Sequence, residues 1–366
     1  TVMRAGWGIF YDAEFGVATD PINAFPYNRW QFATLFPGAA APSGNVLNSG
    51  YGYAPGLKLP YTREWNAALE HAFESTDVVS ASYIGSASRH LLRREAELAP
   101  NSQVAVAPIA TNDGLADFNA LELQYRRKLS LGLQGLASYT WSHSIDNGSW
   151  DSGIYLPQRT GTSDRGPSAF DVRHNFSAGI TWRTPGLSGR SSLQSFTRNW
   201  TLSTFLSARS GFPIDVLASE NLLGLGFDDF QRPDLVPGVP VWLDDASAPG
   251  KRRLNPAAFS AAPGTQQGNL GRDSIRGFEL GQIDLSVSRE FAVREDSVVG
   301  FRLEAFNVTN HAQFGDPVRF LSSPLFGQST SMLNLMLGSG TPHSGIAPEF
   351  QIGGPRVLQI TVRFRF

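Results

Sequence analysis

The chain has 366 residues, of which 41% are hydrophobic and 17% charged, with a net charge of −2 and no cysteine. Average soluble proteins carry about 25% charged residues. Charge is therefore scarce, yet no run of roughly 18 apolar residues is present to span a membrane as a helix. The lack of cysteine excludes disulfides, thiol catalysis and cysteine-ligated metals. No basic run is longer than "KRR" (251–253), so nothing points to nucleic acid.

In chain order, ten segments show the two-residue period of a strand with chemically different faces. The first, "MRAGWGIFY" (3–11), is followed by a Gly-, Pro- and Asn-rich stretch to about residue 60. In "REWNAALEHAF" (63–73), Trp65, Ala67, Leu69 and Phe73 oppose Glu64, Asn66 and Glu70. Only "EST" separates it from "DVVSASYIGS" (77–86). A gap of about thirty residues leads to "FNALELQYRRKL" (118–129), which turns directly into "LGLQGLASYTWSHSI" (131–145). A long loop is expected before "RHNFSAGITWR" (173–183), and a medium connection before "NWTLSTFLSA" (199–208). The longest gap ends at "GQIDLSVSREF" (281–291), which turns into "VVGFRLEAFN" (298–307). After a last long loop the chain closes on "VLQITVRFRF", where Leu358, Ile360, Val362, Phe364 and Phe366 share one face against Gln359, Thr361, Arg363 and Arg365.

These connections read long, short, long, short, long, medium, long, short, long. A soluble sandwich has no reason to place every long connection at one end of its strands. An up-and-down barrel in an outer membrane does, with short turns inside and long loops outside. The expected fold is an all-β, antiparallel transmembrane barrel wall. Its apolar rows face lipid, and Glu122, Arg126, Asp284, Arg302, Glu304, Arg363 and Arg365 face the lumen, along with Glu64, Glu70, Lys128 and Glu290. Cross-strand ion pairing is the expected use of these charges. Trp65, Trp141, Trp182 and Trp200 fall near strand ends on the apolar face, where an amphipathic ring suits the lipid–water boundary. On this assignment Phe301→Arg or Val362→Arg should impair assembly, whereas Arg302→Gln should be nearly silent.

No nucleophile elbow, zinc-binding HExxH or phosphate loop occurs, and the six histidines show no ligand spacing. Neither a catalytic constellation nor a cofactor site is expected. "SIDNGSWDSG" (144–153) offers Asp146, Asn147 and Asp151 but lacks the acidic ladder of a calcium loop; Asp228 and Asp229 are weaker still.

The stretch "GQIDLSVSREFAVREDSVVGFRLEAFNVTNHAQFGDP" (281–317) resembles the C-terminal barrel of TonB-dependent outer-membrane receptors, more narrowly the Oar-like group. In the same order the chain offers "RAGWGIFYD" (4–12), "YTREWNAALEHAF" (61–73), "YTWSHSIDNGS" (139–149) and "FDVRHNFSAGITWRTP" (170–185). "SARSGFP" (207–213), "RPDLVPG" (232–238), "LNPAAFS" (254–260) and "GNLGRDSIRG" (268–277) complete the set. The resemblance implies a barrel of 22 strands around an N-terminal plug, with a TonB box upstream. Residues 1–366 would supply only its C-terminal part, without plug, TonB box or signal peptide. It also implies that the terminal strand, ending on Phe366, is what the outer-membrane assembly machinery recognises. The partners so implied are outer-membrane lipid, that machinery, the plug, TonB and an unidentified large ligand, in the outer membrane of a diderm (Gram-negative) bacterium. The expected function is energised uptake of a large solute, with carbohydrate, peptide and protein cargo all open. A non-transporting barrel acting as adhesin, scaffold or porin is the alternative, and a soluble carbohydrate-binding β-protein the third reading.

Overall fold

The computed structural model describes residues 1–12, 52–101, 104–149, 154–156, 163–184, 199–218, 231–294, 297–336 and 352–366. All ten segments form strands of one sheet. They are β1 (Val2–Tyr11), β2 (Tyr61–Phe73), β3 (Asp77–Asn101), β4 (Val104–Ser130) and β5 (Leu133–Asp146). The others are β6 (His174–Arg183), β7 (Trp200–Arg209), β8 (Leu280–Arg294), β9 (Ser297–Phe306) and β10 (Val357–Arg365). Each pairs antiparallel with the next in sequence, the meander that short turns and outer loops dictate.

The register keeps the apolar rows continuous across strands. Leu121 of β4 lies between Tyr83 of β3 and Trp141 of β5. Leu303 of β9 lies between Val287 of β8 and Ile360 of β10. A one-residue slip in any pair would turn that strand's apolar row to the wrong face, so the alternation itself fixes the register.

One expectation changes. The gap after residue 86 is not a loop. β3 and β4 run on as a single hairpin of 25- and 27-residue strands, about twice the length of the other long strands. The pairing slips between Ser88 and Leu91 and again between Leu91 and Arg93, so the two-residue period breaks where the hairpin leaves the wall. That is the physical reason the extension is invisible to periodicity. Two short parallel pairings widen it: Gly52–Tyr53 on β4 and Ile154–Tyr155 on β3. Ala96, Val106, Ile154 and Leu156 form its small core.

The β4–β5 turn is two residues long, with Leu131 at φ 51° and Gly132 at φ 80°. Both central residues are left-handed, the type I′ geometry that suits hairpin twist and favours Asn-Gly. A Cβ at Gly132 would meet the Arg183 carbonyl oxygen at 2.3 Å, so only glycine fits there. Leu131, by contrast, is strained and 91% exposed. Leu131→Asn should raise stability by about 1 kcal/mol, read as a higher midpoint for loss of the heat-modifiable folded band on gels.

Outside the wall, the connection between β7 and β8 builds its own small core together with residues of the β9–β10 connection. Ile214, Val216, Leu254, Phe259, Leu270, Ile275 and Phe326 pack together, with the Phe259 and Phe326 rings edge to face at 5.7 Å. Short antiparallel ribbons at 213–214 with 275–276, 234–235 with 259–260, and 242–244 with 252–254 carry these side chains.

Candidate functional site: a membrane wall with a stapled outer cap

The apolar rows are bounded by charge at both ends. On β4 they lie between Asp117 and Arg127, ten residues apart. Asp117 is paired with Arg89 at 2.8 Å and Arg165 at 2.7 Å, and Arg127 with Asp77 at 3.1 Å. Ten residues span about 33 Å along a strand, and a tilt of about 40° reduces this to about 25 Å, the height of an outer-membrane apolar band. Within it sit Leu121, Leu123 and Tyr125 of β4, Ala81 and Tyr83 of β3, and Ala67 and Leu69 of β2, matched across the strands. Leu69, Tyr83 and Leu123 are exposed.

The four tryptophans fall at two heights. Trp65 and Trp141 each lie eight residues from the short turn of their strand, whereas Trp182 and Trp200 lie at the ends of β6 and β7 that the medium connection joins. The Trp65 ring covers Gly85 of the neighbouring strand. At the lower level the Arg289 guanidinium sits 5.4 Å from the Trp200 ring centroid and 4.6 Å from that of Phe291.

On the opposite face lie Glu122, Arg126, Asp284, Arg302, Glu304 and Arg363. Their bonding is more varied than pairing alone. Arg302 bonds Glu304 at 2.7 Å along the same strand, and Arg365 bonds Glu290 at 2.6 Å. Asp284 instead accepts the Asn307 N–H at 2.7 Å and the Gln282 amide at 2.9 Å. Gln282 in turn accepts the Gly353 N–H at 2.8 Å, so the β9–β10 connection folds onto this polar face. Glu122, Arg126 and Arg363 make no ion pair among the described residues. The terminal apolar row, Leu358 to Phe364, is exposed and paired on one side with β9.

Above the wall, buried arginines tie the outer segments together. Asp164, between β5 and β6, accepts Arg93 of the long hairpin and Arg232 of the β7–β8 connection, each at 2.8 Å. Its backbone carbonyl accepts Arg272 Nε at 2.7 Å. Arg272 reaches Asp146 at the end of β5, Ser149 Oγ at 3.0 Å and Asp273 at 2.9 Å. Arg276 bonds the Asp171 carboxylate. Burial pushes the Asp171 carboxyl up, but Arg276, the Ser144 N–H and His143 outweigh it and hold it below the ordinary carboxylate range. The sequence had set Asp146 and Asn147 aside as a weak calcium loop; both are spent on closure. Asp146 also accepts Ser149 and the Gly148 N–H, while Asn147 bridges the Leu115 N–H and the Asp113 carbonyl. Asp151, Asp228 and Asp229 lie outside the described residues.

The sequence profile of the outer membrane beta barrel domain matches residues 1–335. The chain belongs to that family. It is an outer-membrane β-barrel protein. A search of curated proteins gives no match. Among solved structures, the outer membrane transporter YddB from Escherichia coli aligns with the whole chain at 11% identity and a TM-score of 0.55. The alignment covers 38% of YddB, and at this identity the likeness is one of fold. The FrpB iron transporter from Neisseria meningitidis aligns at TM-score 0.38 and 11% identity, over 77% of this chain and 31% of its own. The copper transporter OprC gives 0.35 and 12%, over 85% and 32%. The chain thus spans little more than a third of YddB and less of the other two.

Proposed function

We propose that this chain is the C-terminal barrel wall of a TonB-dependent receptor that takes up a large solute by energised transport. The carrying observation is the stapled outer cap. Buried Arg–Asp contacts and a separate apolar core hold the outer connections of a membrane wall in one arrangement, and a preorganised surface captures ligand at lower entropic cost. The sequence resemblance and the YddB fold support the same reading.

In this account the polar face lines the lumen against the plug, whose movement TonB drives. The outward tryptophans anchor the two interfaces. The row Leu358, Ile360, Val362, Phe364 and Phe366 engages the assembly machinery before the sheet inserts. Peptides and oligosaccharides are the first cargo to try.

The test compares cells with and without the parent gene as they deplete a peptide digest or an oligosaccharide hydrolysate from the medium, with and without a protonophore. Loss of one depletion activity on gene deletion, mimicked by the protonophore, is expected. Depletion that needs the gene but ignores the protonophore would establish a porin. No effect of deletion on either mixture would overturn uptake of these cargoes and leave the adhesin reading ahead.

A further inference from the structure

A cavity of about 480 Å³ opens between the outer connections that follow β5, β7 and β9. Phe212 and Met336 are among its apolar walls, and Asp215, Asp273, Asp316 and Arg319 are its charged ones. Its volume lies in the range of small-molecule sites, which combine apolar walls with a few convergent polar groups. The lining carries three carboxylates and one guanidinium, with Arg209, Arg232 and Arg272 close behind the carboxylates.

These carboxylates are poorly served by the protein. Asp215 is 9% exposed, and its carboxylate accepts a single long hydrogen bond, from the Asp273 N–H at 3.5 Å. Among the described residues no hydrogen bond reaches the Asp316 carboxylate. Asp273 accepts Arg272, whose other donors are committed to Asp146, Ser149 and the Asp164 carbonyl. Asp215 is buried and Asp316 half-buried; a carboxylate withdrawn from water and short of donors is costly, and a cationic N–H group entering the cavity would serve both. A metal ion is the poorer fit, because no group of three His, Asp or Glu side chains among the described residues gathers closely enough to ligate one.

We propose that this cavity binds an organic cation: an ammonium or guanidinium group on a flat apolar body, the charge against Asp215 and Asp316 and the body against Met336 and the exposed Phe170, since the Phe212 ring already carries the Arg209 guanidinium at 3.9 Å. The inference rests on the reading that these connections face the medium, and it names the chemistry of one group they capture. Burial raises the Asp215 carboxyl and carries Asp273 to about 7 and Asp316 to about 6. Asp215, and to a lesser degree Asp146, oppose ionisation of Asp273, while Arg209, Arg232, Arg272 and Arg319 favour the charged forms of the group. The carboxylates are needed in charged form, so affinity for a cation falls as pH drops through this range.

The test uses the full-length protein purified from outer membranes in detergent, titrated calorimetrically with benzamidine and with its neutral isostere benzamide. At pH 8 benzamidine should bind at least tenfold more tightly than benzamide, and the preference should shrink by pH 5.5. Asp215→Asn and Asp316→Asn, near-isosteric changes whose folding is checked by heat-modifiable mobility, should each weaken benzamidine at least tenfold. Equal affinities, no measurable benzamidine binding, or indifference to both variants would overturn the proposal. No energy source enters this assay, so its failure is distinguishable from a failure of energised uptake.

Discussion

Asp164→Ala should cost the outer cap about 3–5 kcal/mol, the range for breaking a buried ion pair by removing one partner. The magnitude follows from what remains. Arg93 and Arg232 are 8% and 2% exposed, and both direct a guanidinium N–H to this one carboxylate. With it gone, Arg232 loses its carboxylate partner and Arg93 keeps only the part-exposed Glu95 at 3.0 Å. Hydrogen exchange in the 231–276 segment should rise sharply, while the wall strands keep their protection and the heat-modifiable band persists. Asp117→Asn is the control. Its partners Arg89 and Arg165 are a third or more exposed, and such pairs contribute about 0–1 kcal/mol. Equal exchange in the two variants would show that the cap does not depend on the buried charges.

The wall was legible in the sequence and the cap was not, for a physical reason. A strand buried on neither face but solvated differently on each writes its geometry into every second residue. Leu121, Leu123 and Tyr125 could therefore be assigned a common face without any knowledge of their neighbours. Short turns such as Leu131–Gly132 then fixed which strands pair. Contacts in the cap join residues far apart in the chain: Arg272 meets Asp146 across 126 positions and Asp164 meets Arg93 across 71. No period marks such contacts. The only local trace was that Arg232, Asp171, Arg272 and Arg276 lie inside the stretches that carried the family resemblance. The residues were visible, but their use as staples required the fold. The long hairpin hid for a third reason, since its bulges break the alternation at the point where it runs beyond the neighbouring strands.

The register also refines where a charge on the lipid face should hurt most. Phe301 pairs with Arg289, an outward arginine that already rests on the Trp200 and Phe291 rings. A level that accommodates one guanidinium lies near the interface, so Phe301→Arg and Val362→Arg, whose positions are paired with each other, should cost about 0–1 kcal/mol. Leu285 lies four residues further up β8, between Thr204 and Ala305, at the middle of a band about ten residues deep. Leu285→Arg should therefore cost about 2–4 kcal/mol and reduce the amount of folded barrel recovered from outer membranes well below that of the two lower variants. Arg302→Gln changes the opposite face, where the exposed Arg302–Glu304 pair at 2.7 Å contributes little, and its yield should match the parent. Equal yields for Leu285→Arg and Arg302→Gln would mean that the two faces are exchanged or that the sheet does not sit in lipid. A uniform loss for all three apolar positions would instead place the membrane boundary below Arg289, and the arginine would then have to be satisfied inside the band.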